Sequence, residues 1–303
     1  MSKVSSPMTR SLLLPATALA AALLALAAPA AAGDWRIQYQ DRDIAKSVSL
    51  GGTCHRCELS GRDLSGATFT AASFTGSTLV GANLRGAELV GSNFASADFS
   101  RADLTGAAMM GANFNGANFT AVRASGVEAM GSVFTRANLS GANLTGAELG
   151  GANLNGAALT RANLTGAEAF GANLANVQAQ AAIFNEAEVN ASNLSGGDFR
   201  GASFVNATLD GARLTGGQFA RANFSGASLN RTDIRGVDLT AARGLTRDQV
   251  ARACGDPTTR LPAGYTYRTC RSRVLVMPRP PAPPSPPAVL TPRVRNIVVA
   301  NAD

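Results

Sequence analysis

Ala142-Asn143-Leu144-Thr145-Gly146-Ala147-Glu148-Leu149-Gly150-Gly151-Ala152-Asn153-Leu154-Asn155-Gly156 holds three successive pentapeptides. Each has a small residue, a polar or charged one, a bulky apolar centre and a Gly two places beyond it. Working outward, a centre recurs at every fifth position from Leu59 to Leu239 without a slip of register, which makes 37 consecutive pentapeptides. Of these centres 18 are Leu and 12 are Phe; Met109, Val189 and Ile234 complete the bulky set, and Ala124, Ala129, Ala169 and Ala179 fill the rest. Helix periodicity at about 3.6 and strand alternation at about 2 cannot bury both a small and a large residue every five positions. A coil that turns one corner per pentapeptide buries both. So strict a period defines an elongated repeat array and excludes an ordinary globular enzyme domain.

Ala-Asn-Leu-Thr-Gly at 142–146 and again at 162–166 is similar to the A-(D/N)-L-x-x motif of the pentapeptide-repeat family, and the resemblance covers about 60% of the chain. It implies an all-β solenoid: a right-handed, four-sided β-helix with four pentapeptides per coil and the central and preceding small residues pointing inward. On that reading the array makes about nine coils, a rod roughly 45 Å long at ~4.8 Å per stacked strand. Spacing of 20 tests this within the sequence, because Phe74, Phe94, Phe114 and Phe134, and separately Phe184, Phe204 and Phe224, recur at that interval. They are expected to stack along the axis. Proline agrees, since all 13 lie outside residues 30–256, where stacked backbone N–H groups are needed.

The flanks divide the chain further. Residues 1–32 carry Lys3 and Arg10, an apolar run from Ser11 to Ala28, and Ala30-Ala31-Ala32, which reads as a secretory signal peptide. An uncleaved membrane anchor is the competing reading. Residues 33–58 form an N-terminal cap, with Trp35 to Leu50 as a short strand or turn; 59–241 is the β-helix; 242–274 is a C-terminal helical cap; 275–303 is a Pro-rich basic tail that reads as polyproline II. Thr246 and Gln249 form a capping box, and Leu245, Val250 and Ala253 give an apolar face, so a short helix over 246–254 is expected to close the last coil. The basic excess is in this flank: residues 240–303 hold 10 Arg against Asp248, Asp256 and Asp303, whereas 59–239 is close to neutral.

Four cysteines fall in two pairs, Cys54 with Cys57 and Cys254 with Cys270, and in an exported chain an even count favours disulfides. Cys54-His55-Arg56-Cys57 could instead be a thiol redox centre or half a zinc site. No second ligand pair lies near it. His55 is the only histidine and stands at an end, so no catalytic residue, cofactor or metal is assigned. On the outer surface Glu88, Glu128, Glu148, Glu168 and Glu188 share one phase of the 20-residue spacing. Beside them lie Val90, Met110, Met130, Gly150 and Phe170, the last being the one Phe outside a central position. Two readings stand. Either the stripe faces outward and forms an interaction face, or corners at Ala129 and Ala169 shift and turn Met130 and Phe170 inward.

The functional expectation is a periplasmic or secreted, non-enzymatic rod, serving as a protein-binding or envelope structural module. Its partner is a protein, an envelope component or a second copy, and its sides present ladders such as Asn93, Asn113, Asn153, Asn173 and Asn193. Nucleic acid is not an expected partner, and a membrane only if the leader is retained. Two alternatives belong to other classes. Some pentapeptide-repeat proteins mimic DNA and bind topoisomerases through a strongly acidic face, from which this near-neutral repeat departs; a thiol redox protein would act through Cys54 and Cys57.

Overall fold

Each pentapeptide builds one side of a coil, and the side is held by what happens at its two inward residues and at its corner. In the computed structural model, which describes residues 52–270, the centre and the residue two before it are buried in repeat after repeat. Ala142 with Leu144 and Ala152 with Leu154 are examples, each at most 2% exposed. The residue between them points outward and pairs in parallel with its counterpart 20 positions away, from Thr53↔Ser73 to Asn223↔Arg243. The Leu84 N–H donates to the Asp103 carbonyl one coil on (2.7 Å), while the Asn83 N–H reaches back to the Arg62 carbonyl (2.9 Å). Strands are therefore single-residue bridges stacked in columns. Among the described residues, helix is confined to the C-terminal end.

Corners explain the glycines. Every fifth residue from Arg56 to Gly236 has φ in the left-handed region, Gly or not. With the bond from the Ala147 N–H to the Leu144 carbonyl (3.1 Å) closing the turn around Gly146, the corner has the form of a type II turn, which needs positive φ at its third residue. Glycine occupies that place at no steric cost; Ala121, Arg136, Asn176 and Arg221 occupy it too, at φ between 54° and 61°.

Down the core, the Phe columns stack as the 20-residue spacing requires. Phe74 and Phe94 lie 5.0 Å apart at 6°, Phe114 and Phe134 5.1 Å at 14°, and Phe204 and Phe224 5.1 Å at 5°. A neighbouring column, Phe99 over Phe119 at 4.8 Å, meets the first edge-on. Each buried ring contributes roughly 1.5–3 kcal/mol through apolar burial. The few inward hydroxyls are satisfied: Ser132 Oγ donates to the Met109 carbonyl (2.5 Å) and Thr232 Oγ1 to the Leu209 carbonyl (2.8 Å).

The pattern starts earlier than the first Leu centre. The ladder already includes Thr53 and Glu58, so Cys54 takes a central position and Cys57 the small inward one. At the other end α1 spans Arg247–Arg252, not 246–254. Thr246 is its N-cap, with the reciprocal Thr246–Gln249 capping box. The helix stops because Ala253 is extended (φ −75°, ψ 164°) and fully buried, returning the chain to the inward-outward alternation. Cys254 then sits in β1 (Cys254–Gly255), parallel to β2 (Arg268–Thr269). The ladder continues with a longer step, Asp233↔Cys254 and Asp238↔Arg260. The leader, the Trp35–Leu50 segment and the Pro-rich tail lie outside the described residues.

Gly146 offers a clean test of the corner, because a Cβ built there would meet nothing within 4 Å while φ is +63°. Gly146→Val should lower unfolding stability by about 1–2 kcal/mol, and Gly146→Asn by clearly less, since Asn tolerates the left-handed region. Chemical denaturation of the three proteins checks this, and equal losses would refute the backbone origin.

Candidate interaction face

Two adjacent columns on one side of the coil carry the unusual surface residues. Glu128 pairs with Glu148, Glu148 with Glu168 and Glu168 with Glu188 as successive rungs, so four carboxylates rise in line one strand spacing apart. Glu88 is set apart from them by Ala108. None of these Glu side chains enters an ion pair among the described residues. Like charges on neighbouring rungs of such a column repel one another.

Beside it runs the apolar column. The N–H groups of Gly111, Gly131 and Gly151 donate to the carbonyls of Met130, Gly150 and Phe170 at 2.9–3.0 Å, which places these residues on consecutive rungs. Val90 and Met110 are half-buried, Met130 is 45% exposed and Phe170 65%. The inward-shift reading fails on this geometry. Ala129 and Ala169 remain the buried centres, and their corners keep the usual closing bonds, from the Ser132 N–H to the Ala129 carbonyl (3.2 Å) and from the Ala172 N–H to the Ala169 carbonyl (3.1 Å). With the corners unshifted, Met130 and Phe170 stay outside. Met130 lies over Gly150, close enough that a Cβ built there would meet Met130 Cγ in ordinary contact at 3.7 Å.

The Asn column has a different role from display. Oδ1 of Asn113 accepts the Asn115 N–H (3.1 Å), and its Nδ2 donates to Asn93 Oδ1 (3.1 Å); Asn173 and Asn193 repeat both bonds, whereas Asn153, above Val133, accepts the Asn155 N–H and the Asn173 Nδ2–H. These amides brace the corner that follows them. Asp does the same at Asp103. There burial works to push the carboxyl up, but the Thr105 hydroxyl and N–H and the Arg85 and Arg123 guanidinium groups outweigh it and hold the group below its ordinary value of 3.8.

The cysteines are paired, Cys54 with Cys57 and Cys254 with Cys270. The first bridge joins the two inward positions of one corner, where other repeats place Leu and Ala, and Ser77 ties it to the next coil by donating to the Cys54 carbonyl (2.8 Å) and accepting the Cys57 N–H (3.0 Å). His55 is exposed on the corner between them. Asp233 approaches Cys270 Sγ at 3.7 Å beside Cys254, a grouping of metal-ligand types, but both sulfurs are committed to the disulfide. A basic cleft at the C-terminal end, involving Arg231, Arg252 and Arg268, escaped sequence reading, which assigned the positive charge to the flank alone. No fixed spacing marks it, because Arg252 and Arg268 are brought to Arg231 by the step Asp233↔Cys254 and by the pairing of Cys254 with Arg268.

Fold and surface together define a regular, four-sided repeat rod with one apolar and acidic edge. The profile of the pentapeptide repeats family matches in overlapping segments, 54–89, 79–116, 112–151, 137–176, 147–185, 182–217 and 202–240. The chain belongs to the pentapeptide-repeat family, whose members fold as right-handed quadrilateral β-helices and serve generally as structural or binding modules. Among solved structures, it is similar to HetL, a pentapeptide repeat protein involved in heterocyst differentiation regulation from the cyanobacterium Nostoc sp. strain PCC 7120. Identity is 26%, the TM-score 0.58, and the match covers 73% of this chain and 90% of HetL. QnrB1, a plasmid-mediated fluoroquinolone resistance protein, matches at 19% identity and a TM-score of 0.41 over 68% of this chain and 92% of its own. A pentapeptide repeat protein of the Arabidopsis thaliana thylakoid lumen matches at 28% identity and a TM-score of 0.27, over 37% and 71% of the two chains. No curated protein matches at a significant level. No helix among the described residues is long and apolar enough to cross a membrane.

Two measurements probe this surface chemistry. A carboxyl depressed in the fold stabilises above its unfolded pKa and loses that contribution as pH falls through the folded value. Asp103→Asn should therefore be less stable than the parent at pH 7, with the gap narrowing below about pH 4; urea titrations at several pH values would show it, and a pH-independent gap would exclude the ionic origin. Iodoacetamide applied to the native protein without reductant should label none of the four cysteines. Label at Cys54 or Cys57 would instead support a working thiol pair.

Proposed function

We propose that the chain is an exported, non-enzymatic rod of about nine coils that acts as a protein-binding or envelope structural module in the periplasm or extracellular space. The carrying observation is Phe170, 65% exposed in an array that buries every other Phe of the described residues, and aligned with Met130 and Met110 beside the Glu128–Glu188 column. An exposed apolar line rimmed by like charge is costly for a protein with no partner and useful to one that has a partner. Its complement is a protein surface with an apolar ridge and basic edges. Export rests on the leader, with Lys3, Arg10 and Ala30-Ala31-Ala32.

In this reading α1 closes the C-terminal end of the rod. Gln249 Nε2 donates to the carbonyls of Phe224 (2.9 Å) and Ala227 (2.7 Å), occupying acceptors that would otherwise invite edge-to-edge pairing. The four-Glu column is the one feature that favours a DNA-mimic reading. It occupies a single column, where a phosphate-like surface would need acidic residues on more.

A photo-crosslinking residue in place of Phe170, expressed in intact cells, should give a discrete protein adduct in the periplasmic fraction. Adding Met130→Glu should abolish the adduct while changing stability by less than about 0.5 kcal/mol, as for an exposed position. A folded, exported protein that forms no adduct would remove the interaction stripe and leave a purely structural rod. An adduct to a topoisomerase in the cytoplasmic fraction would replace this reading with the DNA-mimic one.

A further inference from the structure

At the C-terminal end the longer ladder step gathers arginines that are far apart in sequence. Arg213 pairs with Asp233 and Asp233 with Cys254 as successive rungs, and Cys254 in turn pairs with Arg268 in β2. On the adjacent corner the Arg231 N–H donates to the carbonyl of Arg252, the last residue of α1 (2.9 Å). The result is two clefts with a common wall. One, of about 490 Å³, is lined by Arg213, Arg231, Arg235, Asp233 and the Cys254–Cys270 disulfide. The other, of about 520 Å³, is lined by Asp210, Asn230, Arg231, Arg252 and Arg268. Gly211 and Arg231 belong to both.

The two carboxylates here are already engaged. Asp233 accepts from Arg235 Nε (2.9 Å) and Nη2 (2.6 Å). Asp210 accepts from Ser228 Oγ (2.6 Å), the Asn230 N–H (3.0 Å) and Asn230 Nδ2 (3.0 Å). Five arginines therefore line the paired clefts against Asp210 and Asp233, with Asp256 also acting on Arg235, so positive charge remains in excess. Arg252 and Arg268 enter no ion pair among the described residues. Crowded cations of this kind repel one another, and a multiply charged anion relieves them. Guanidinium forks match the paired oxygens of a phosphoryl group.

We propose that the twin cleft around Arg231 binds phosphoryl groups, with a ligand carrying two anionic centres spanning both halves. A single carboxylate would leave most of the charge unmatched; a diphosphate neutralises it. The same chemistry is offered by a free diphosphate and by phosphomonoester headgroups at a lipid surface. The site is separate from the Phe170 stripe, and its failure would leave the stripe untouched. Because Arg268 is held in place by the Cys254–Cys270 bridge, the site also depends on that disulfide.

The test is calorimetric titration of the oxidised full chain with inorganic pyrophosphate at constant ionic strength. Saturable binding is expected, weakened about tenfold or more in Arg252→Ala/Arg268→Ala and after reduction of the protein, and unchanged in Arg85→Ala, whose guanidinium lies elsewhere, against Asp103. Co-flotation with phosphatidylcholine vesicles, with and without phosphatidic acid, separates the sources. Capture by phosphatidic acid that pyrophosphate competes away assigns a lipid phosphomonoester, and pyrophosphate binding without capture assigns a free one. Absence of both, or binding that the double variant leaves unchanged because the basic tail supplies it, would overturn the proposal.

Discussion

The 20-residue backbone rung is the constraint on which everything else rests. Each outward residue gives its N–H to the coil before it, and the centre that follows gives its own to the coil after it, so lateral position is set to within one residue all along the rod. Once that register holds, side chains in one phase must form a column, whether the column is favourable or not. Phe over Phe is favourable, Asn over Asn adds a second hydrogen bond at each step, and Glu over Glu is a standing cost. The corner is the other half of the constraint. A left-handed residue every fifth position turns the chain by one side, and fourteen residues other than Gly accept that conformation because the rungs on both sides leave no alternative.

Much of the core was legible, because burial in this fold is periodic and period survives in sequence. Leu59 through Leu239, the Phe columns and the small inward residues all follow from one rule. What was not legible depends on exceptions to the rule. With Ala at centres 129 and 169, sequence alone cannot tell a relaxed corner from an intact one, since both accommodate a small centre; the corner hydrogen bonds decide for the intact form, and Phe170 faces out. The Asn column reads from outside as a surface display. Its amides instead bond to the N–H two residues on, a local interaction that period cannot distinguish from exposure.

The ends follow the same logic. Cys54 and Cys57 look like a separate motif because neither is Leu or Ala, yet they occupy the two inward places of a corner and replace apolar packing by a covalent bond. The helix was legible from its capping box, but not its end, because Ala253 is a good helix former that tertiary burial recruits to an extended rung. The arginine clefts were hidden for a related reason. They arise where the regular step of 20 gives way to Asp233↔Cys254 and β2 is drawn alongside, so no fixed spacing links Arg213, Arg231, Arg252 and Arg268.

The rung also bears on how such a chain can lengthen or shorten. Five residues are the unit of a side, but loss or gain of five would swing everything downstream by a quarter turn. Glu168 would then leave the line of Glu148, and Phe114 would no longer lie over Phe94. A change of 20 residues keeps each face in line and alters only the length. The heritable building block of this surface is therefore the whole coil, and a face, once drawn, can be extended without being redrawn.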